Sequence, residues 1–378
     1  MKKNILVVDD SALIRRVICD IINTDNNFQA KDTCRDGLEA YEKLKTTTYD
    51  GVVLDVNMPR MDGLQLLEKL QEDNIKANVI MVSTLTTKDA EVTILALERG
   101  AIDFVTKPTN ISEAKGEDFK KKLLDTLNAV LSSRLLARTS RVSSRAGSSA
   151  ASARTTSSTN GALNGASSPA KANVKANFKR LKATGKNKLI ALASSTGGPK
   201  ALQSVIPYLP ANLDAPMVLV QHMPAGFTKS MADRLNEVSK IKVKEAADGD
   251  KLEKGQIYVA PGGKHMEVVK CPDGSHKIKL NTMPAIGGLR PCANITYDSL
   301  SKCGYDEVVC VVLTGMGADG TNGILSLGHH KPIHVISQNA ETCIVYGMPK
   351  AIEESGVVDE VVPLEKVAEC ITKRVGVK

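Results

Sequence analysis

The sequence of 378 residues contains no tryptophan and few other aromatic residues, with five Phe and seven Tyr. Because proteins that bind single-stranded nucleic acids stack bases on aromatic side chains, this scarcity argues against that class. No segment approaches the roughly 18 apolar residues of a membrane-spanning helix. The apolar run near the N-terminus, Ile5–Val8, is too short for a signal peptide and leads directly into two aspartates. We therefore predict a cytoplasmic protein without direct membrane insertion.

The cysteines form no C-x-x-C pair, although the chain contains eight of them. Most stand in apolar or amphipathic stretches, where cysteine is usually a small buried hydrophobic residue. Reduced thiols therefore fit this sequence better than disulfides.

Acidic residues are absent from one long segment, between Asp125 and Asp214. Residues 134–188 contain 12 Lys or Arg, and removing these from the net charge of +8 leaves −4 for the rest of the chain. The segment is rich in Ser, Ala, Thr, Asn and Gly, so it cannot bury enough apolar surface to offset its ordering entropy. A soluble spacer is favoured over a contact with nucleic acid or an acidic membrane. The predicted divisions are a first domain at 1–125, a flexible linker at 126–186 and a second domain at 187–375.

Short apolar runs alternate with helical patterns on both sides of the predicted linker. In the first half the strand-like runs are Ile5–Val8, Gly51–Leu54, Asn78–Val82 and Ile102–Val105. In the second half they are Lys188–Ala193, Met217–Val220, Gln256–Val259, Val308–Leu313 and Ile333–Ile336. Such alternation is typical of parallel sheets covered by helices on both faces, so we predict two α/β domains.

Polar side chains follow the predicted strands of the first half. Asp9 and Asp10 follow the first strand, Asp55 the third, Ser83 the fourth and Lys107 the fifth. The carboxyl ends of parallel strands meet at one edge of the sheet, where open α/β sheets bind ligands. Three carboxylates at that edge repel one another and need a cation, and an all-oxygen site favours Mg²⁺.

These residues stand in segments that resemble the response-regulator receiver family. The matching segments are Val7–Ser11, Val53–Pro59, Ser83 and Lys107-Pro108. The resemblance covers about residues 1–125 and implies a flavodoxin-like domain with a parallel five-stranded sheet. It also implies that the domain is phosphorylated by a histidine kinase and requires Mg²⁺.

The resemblance to receivers assigns a role to each polar residue. Asp55 would be the phosphorylation site, and Ser83 and Lys107 would contact the phosphoryl group. The implied Mg²⁺ ligands are Asp10, Asp55 and the carbonyl of Asn57. Asp9 would complete the acidic pair, and Phe104 matches the family's switch aromatic residue. The added charge can reorder nearby loops.

Three residues of the second half have the types of a hydrolytic triad, and each follows a predicted strand. Ser195 stands in a tight turn before a helix, where backbone N–H groups can stabilise an oxyanion. His222 follows the next strand and could act as a general base. Asp319 follows the strand Val308–Leu313 and could orient His222. Each residue alone has a more ordinary interpretation, namely helix capping, a structural histidine and turn chemistry.

The turn around Asp319 also contains the dinucleotide-binding pattern G-x-G-x-x-G. It uses Gly315, Gly317 and Gly320, and Glu341 lies about 20 residues further on, as that pattern requires. An aspartate beside a pyrophosphate is unfavourable, and the pattern comes late in its domain. A nucleotide-linked enzyme is therefore a lesser alternative.

Several long segments of the second half resemble the family of chemotaxis protein-glutamate methylesterases. They are Ser195–Gly198, Gln221–Thr228, Ile257–Met266, Leu313–Gly320 and Tyr346–Pro349. The resemblance covers about residues 187–375, and the order of receiver, linker and esterase also matches that family. Two departures are present: Ala193-Ser194 replaces the usual Gly-Ala, and Asn294 replaces the Asp that usually follows the Arg-Pro pair (here Arg290-Pro291).

This second resemblance implies a Rossmann-like α/β esterase domain with a mainly parallel sheet and no cofactor of its own. It assigns Ser195 as nucleophile, His222 as general base and Asp319 as its orienting partner. Thr196 and the Met316 backbone are candidates for oxyanion stabilisation. The substrates would be glutamate methyl esters, and also glutamines, on methyl-accepting chemotaxis receptors.

Two other classes of function stay open at this point. A transcriptional response regulator would need a helix-turn-helix output domain, whereas the second half is rich in strands. In a phospho-regulated scaffold without catalysis, the esterase fold would only bind partners. The complete Ser-His-Asp set argues against this alternative.

Overall fold

Five parallel strands form the N-terminal sheet in the computed structural model, which describes residues 1–108, 113, 116–143, 181–183 and 185–378. The strands are β1 (Lys3–Val8), β2 (Phe28–Cys34), β3 (Gly51–Asp55), β4 (Val79–Ser83) and β5 (Asp103–Thr106). They are ordered β2-β1-β3-β4-β5, and every neighbouring pair is parallel. This is the strand order of flavodoxin-like sheets, so the predicted fold of the first half is confirmed.

Helices cover both faces of this sheet. They are α1 (Ala12–Thr24), α2 (Gly37–Thr46), α3 (Gly63–Glu72) and α4 (Thr87–Glu98). Each begins after a side chain that accepts a backbone hydrogen bond from the first turn, namely Ser11, Asp36, Asp62 and Thr86. Alternate residues of β1 enter different clusters, with Ile5 and Val7 on one face and Leu6 and Val8 on the other. The sheet is therefore buried on both sides.

A long helix, α5 (Glu117–Ser143), follows β5 and runs through residues 126–143, which were predicted to belong to the linker. Leu127, Val130 and Leu131 are buried in one of the clusters of the N-terminal domain, and this burial explains why the helix continues past residue 125. Residues 144–180 of the predicted linker lie outside the described residues. None of the described helices is both long and apolar enough to cross a membrane.

Seven parallel strands form the sheet of the C-terminal domain, in the order β14-β13-β12-β6-β7-β9-β8, and β10 pairs with β11 in an antiparallel hairpin. The strands are β6 (Lys188–Ser194), β7 (Met217–Gln221), β8 (Lys242–Glu245), β9 (Gln256–Val259), β10 (His265–Lys270), β11 (His276–Asn281), β12 (Glu307–Val312), β13 (Ile333–Gln338) and β14 (Glu360–Val362). The predicted mainly parallel sheet is confirmed. The short strands β8 and β14 at the two edges were not predicted, because they are partly exposed and lack a continuous apolar run.

The helices of the C-terminal domain are α6 (Gly198–Val205), α7 (Phe227–Val238), α8 (Ala293–Leu300), α9 (Thr321–His330), α10 (Met348–Glu354) and α11 (Val367–Val375). The apolar pattern of Ala201–Leu209 predicts one helix, but the structure divides this segment. The α-helix ends at Val205, and a 3₁₀ turn covers Ile206–Tyr208. Pro207 explains the change, since proline lacks the N–H that a continuing α-helix would use.

The two domains pack against each other through α4 on one side and α6 and α7 on the other. Phe104 stacks on Phe227 with ring centroids 4.4 Å apart. Arg234 Nε lies 3.0 Å from Glu98 Oε1. Buried apolar residues of both domains join in one continuous cluster. The N-terminal domain is thus docked on the C-terminal domain along a mixed apolar and charged surface.

Candidate active site

The strand order of the C-terminal sheet brings the three predicted catalytic residues together. Strand β6 lies between β12 and β7. Ser195 directly follows β6, His222 directly follows β7, and Asp319 lies in the loop between β12 and α9. Since all three strands are parallel, their carboxyl ends meet at the same edge of the sheet. Residues separated by more than a hundred positions in sequence therefore become neighbours.

Ser195 is held in a tight turn between β6 and α6. Its N–H donates to the carbonyl of Thr314 at 3.0 Å, and its carbonyl accepts from the N–H of Gly198 at 2.7 Å. A side chain at Gly315 would place its Cβ 2.8 Å from the Cβ of Ser195. Only glycine allows the loop after β12 to approach the serine this closely.

His222 and Asp319 form a buried hydrogen-bonded pair. Nε2 of the imidazole lies 2.8 Å from Oδ2 of Asp319, and the two side chains are 7% and 6% exposed. An ionised carboxylate can only accept a hydrogen bond, so Nε2 carries the proton of this contact. The other ring nitrogen, Nδ1, is left to serve as an acceptor.

The carboxylate of Asp319 receives further donors from the N-terminus of α8. Oδ2 accepts from the N–H of Ala293 at 2.6 Å, and Oδ1 accepts from the N–H of Asn294 at 3.1 Å and from Cys292 Sγ at 3.2 Å. Burial acts to raise the pKa of Asp319, but the contact with His222 and these donors lower it to about 2. The carboxylate is therefore ionised at neutral pH and can stabilise a protonated imidazole.

Two backbone N–H groups beside the serine are candidates for oxyanion stabilisation. Among the described residues, the N–H groups of Thr196 and Met316 donate to no backbone carbonyl. No hydrogen bond joins Ser195 Oγ to His222 among the described residues, a common feature of unliganded sites that tighten when substrate binds.

The side chain of Gln221 holds the turn around Ser195 by hydrogen bonds, a role that was not predicted from the sequence. Its side chain is 1% exposed. Nε2 donates to the carbonyl of Ser195 at 2.9 Å, and Oε1 accepts from Ser194 Oγ at 2.6 Å. Ser194, one of the two departures from the family pattern, thus gains a partner inside the protein. A glutamine directly before His222 was visible in the sequence, but nothing in its spacing indicated this contact.

The acidic residues of the N-terminal domain also converge at the carboxyl edge of their sheet. Ligand atoms of Asp9, Asp10 and Asp55 all lie within 4.8 Å of one another. Lys107 Nζ lies 2.8 Å from Asp9 Oδ2 and 2.8 Å from Asp55 Oδ2. Burial, followed by the charge of Asp9, raises the pKa of Asp55 to about 6, although Lys107 acts to lower it.

The same pocket fits a hard divalent cation. Asp9 Oδ2 is buried, and its close contact among the described residues is the ion pair with Lys107. Burial also raises the pKa of Asp9. Crowded carboxylates with an unsatisfied oxygen are the donor set that Mg²⁺ prefers.

The remaining predicted residues of this domain lie around the pocket. Ser83 is fully buried, and its Oγ accepts from Thr93 Oγ1 at 2.7 Å. The side chain of Asn57 donates to Asp89 Oδ1 at 2.7 Å. Ser83 is therefore engaged within the domain and would have to turn to contact a phosphoryl group.

The N-terminal domain reaches the serine turn itself. The carboxylate of Asp103, at the start of β5, lies beside the Thr196 side chain, and burial raises its pKa to about 6. Its neighbour Phe104 stacks on Phe227 of α7. Ile344, whose side chain closely approaches Gly197, also packs against the apolar cluster of the N-terminal domain. The docked domain thus covers residues adjacent to Ser195.

The glycine pattern around Asp319 has a structural use in this site. Gly315 permits the close approach to Ser195, and Gly317 and Gly320 have φ angles of 77° and 95°, in the left-handed region that favours glycine. Asp319 points to His222 and α8. These contacts explain the pattern without a bound dinucleotide.

The fold defines a class of two-domain α/β proteins. The sheet of the N-terminal domain carries an acidic pocket at its carboxyl edge, and the sheet of the C-terminal domain carries a Ser-His-Asp cluster at its own carboxyl edge. The family described as CheB methylesterase matches residues 190–371, and the family described as response regulator receiver domain matches residues 5–116.

Curated relatives match along almost the whole chain. A protein of Pyrococcus abyssi, named protein-glutamate methylesterase/protein-glutamine glutaminase, is 40% identical over 99% of this chain and 94% of its own length. A Bacillus subtilis protein of the same name is 38% identical over 97% of both chains. The crystal structure of the Thermotoga maritima CheB methylesterase catalytic domain shares 41% identity over 50% of this chain and 99% of that chain, with a TM-score of 0.47. The chain belongs to the CheB methylesterase family and carries a receiver domain.

Proposed function

We propose that this protein is a phosphorylation-activated serine hydrolase that demethylates glutamate γ-methyl esters on methyl-accepting chemotaxis receptors and deamidates glutamines there. The relatives are named for both activities. The observation that carries the proposal is the convergence of Ser195 with the hydrogen-bonded pair of His222 and Asp319 at three adjacent strand ends. It would act in the cytoplasm, as the sequence predicts.

Hydrolysis would proceed through an acyl-enzyme on Ser195. Nδ1 of His222 takes the hydroxyl proton while Oγ attacks the γ-carbonyl carbon of the substrate. The backbone N–H groups of Thr196 and Met316 stabilise the resulting oxyanion. The imidazolium returns its proton to the methoxy group, and methanol leaves.

Deacylation repeats the same proton transfers with water. His222 accepts a proton from water, and the hydroxide attacks the acyl carbon and displaces Ser195, which regains its proton. The product is a glutamate side chain. For a glutamine substrate the leaving group is ammonia, and the chemistry is otherwise the same. Asp319 stays ionised throughout, because its pKa of about 2 lies far below neutral pH.

Asp55 would accept a phosphoryl group from a chemotaxis histidine kinase. Asp10, Asp55 and the Asn57 carbonyl would hold Mg²⁺, which neutralises phosphoryl charge during the transfer. Lys107 already contacts Asp55 and would move its ion pair to a phosphoryl oxygen. Ser83 would leave its hydrogen bond with Thr93 to donate to another oxygen.

Phosphorylation would activate the enzyme by weakening the docking of the receiver. In the docked arrangement Asp103 lies beside the side chain of Thr196, whose N–H is a candidate oxyanion donor. Phe104, on the strand next to β4 and Ser83, stacks on Phe227. Loop changes around the phosphorylated pocket therefore reach the interface over a short path, and they shift the population towards open enzyme.

The test is methanol release from methylated receptor membranes with phosphodonor and Mg²⁺, comparing wild type, Ser195→Ala and Ser194→Ala. We expect Ser195→Ala to lose about 10⁵-fold in rate or more, since it removes the nucleophile. Ser194→Ala is the matched control: it removes the hydrogen bond to Gln221 and should cost less than about tenfold. Release by Ser195→Ala at the wild-type rate, or none by wild type, would contradict the proposal.

A further inference from the structure

The loop that carries Asp319 is fixed by a reciprocal contact between two helix N-termini. Asp319 precedes α9, and its carboxylate accepts from the first backbone N–H groups of α8, those of Ala293 and Asn294. In return Asn294 Oδ1 accepts from the N–H of Gly320 at 3.1 Å and of Gly323 at 2.7 Å, at the start of α9. Each helix therefore receives its N-terminal cap from the other.

Close packing leaves this contact little freedom. A Cβ at Gly323 would lie 2.8 Å from Asn294 Cα and 2.8 Å from its carbonyl oxygen. Gly320 has a φ of 95° and starts α9 without a side-chain cap of its own. Neither Cys292 before α8 nor Gly320 before α9 caps its own helix through a side chain. The N-terminus of α8 therefore depends on Asp319, and the N-terminus of α9 depends on Asn294.

We infer that Asn294 is a positioning residue, which holds the Asp319 loop in the geometry that orients His222. Both partners of its side chain are N–H groups, so the required feature is an acceptor oxygen. This inference rests on the proposed triad. An aspartate, the usual residue of the family at this place, would keep the acceptor oxygen and add a second negative charge beside Asp319.

Two substitutions separate the acceptor from the charge. Asn294→Ala removes the acceptor, and Asn294→Asp keeps it and adds a carboxylate. Asn236→Ala is the matched control: Asn236 Oδ1 accepts from the Val243 N–H at 2.9 Å, near the far end of α7. It loses a similar side-chain to backbone hydrogen bond away from the triad.

The measurement is the kcat and KM of methanol release by full-length protein with saturating phosphodonor, at a temperature where each variant is folded. We expect Asn294→Ala to lose about tenfold or more in kcat with KM changed less than about twofold, because a small displacement of Asp319 misorients His222. Asn294→Asp should stay within about threefold of wild type. Asn236→Ala should keep kcat.

The pH profile gives a second readout, which reports how close position 294 lies to the charge of the catalytic pair. In Asn294→Asp, the acidic limb of kcat/KM should move to higher pH, since the added carboxylate favours the imidazolium. The titratable side chains hydrogen-bonded to Asp319 among the described residues are those of His222 and Cys292. Burial, and next the charge of Asp319, raises the pKa of Cys292 to about 11, so the thiol stays neutral over this range.

The outcomes separate this inference from the proposed function. An Asn294→Ala protein with wild-type kcat would overturn the inference. Equal losses in Asn294→Ala and Asn294→Asp would overturn the assignment of the acceptor oxygen as the required feature. A wild type that releases no methanol would instead contradict the proposed function itself.

Discussion

Two buried carboxylates lie at the carboxyl edges of the two sheets, and their pKa values move in opposite directions. Asp55 ends β3 of the receiver and is 4% exposed, and its pKa rises to about 6. Asp319 lies in the loop after β12 of the esterase and is 9% exposed as a whole residue, and its pKa falls to about 2. Burial acts to raise both values, so burial does not explain the difference. The neighbours do: Asp55 faces the like charge of Asp9, whereas Asp319 receives donors from an imidazole and a helix N-terminus.

The comparison shows that the carboxyl edge of a parallel sheet can carry a carboxylate whose charge is easily changed, as at Asp55, or one whose charge is constant, as at Asp319. The ionised Asp55 is poorly stabilised by its own protein, so a cation or a modification that changes the charge has a large effect there. Asp319 is fully satisfied and keeps its charge while His222 gains and loses a proton.

The largest expected effect comes from removing the charge of Asp319 without changing its shape. Asp319→Asn places an amide against Nε2 of His222 and can leave the ring with its proton on the wrong nitrogen. We expect methanol release to fall about 10⁴-fold. Steady-state kinetics of the phosphodonor-treated protein measure this, and a loss below about tenfold would contradict the orienting role.

The next effect concerns stability at the receiver edge. A carboxyl whose pKa is raised from 3.8 to about 6 in the fold binds its proton more tightly when folded, so stability falls as pH rises through this window. Asp55→Asn should therefore raise the free energy of unfolding at pH 7 by up to about 3 kcal/mol.

Urea unfolding with a chelator present, at pH 7 and pH 4, checks this expectation. The difference between Asp55→Asn and wild type should shrink at pH 4, where the unfolded carboxyl also begins to bind its proton. Asp10→Asn is the matched control, because Asp10 belongs to the same cluster but is exposed. An Asp55→Asn protein less stable than wild type at pH 7 would show that the ionised carboxylate is not strained.

The smallest effect tests the connection between the two edges. Arg234→Ala removes the ion pair with Glu98 across the domain interface. A partly exposed pair contributes about 0.6 kcal/mol, so basal methanol release without phosphodonor should rise about threefold. Lys229→Ala, which breaks an exposed pair within the same helix, should leave basal activity unchanged. Equal basal rates in both variants would argue against inhibition by docking through this contact.

Much of the fold and site followed from local patterns in the sequence. Buried parallel strands such as β6 and β12 are continuous apolar runs, and the residues after them meet wherever the strands are neighbours. The family resemblance predicted that Ser195, His222 and Asp319 act together, and the strand order places them at one edge. Their catalytic roles stay a prediction.

Contacts that depend on three-dimensional packing were not predictable in this way. The stacking of Phe104 on Phe227 and the caps exchanged by Asp319 and Asn294 join residues that share no local pattern. The choice of Nε2 for the contact with Asp319 depends on the approach of two loops. The continuation of α5 past residue 125 depends on burial of Leu127 and its neighbours against the receiver.

The central claim is that the carboxylate at the receiver edge controls hydrolysis at the esterase edge. The most direct test is methanol release from methylated receptor membranes by wild type and Asp55→Ala, each with and without a small phosphodonor and Mg²⁺. The account predicts that phosphodonor stimulates wild type and leaves Asp55→Ala at its basal rate. Equal stimulation of both proteins, or of neither, would contradict it.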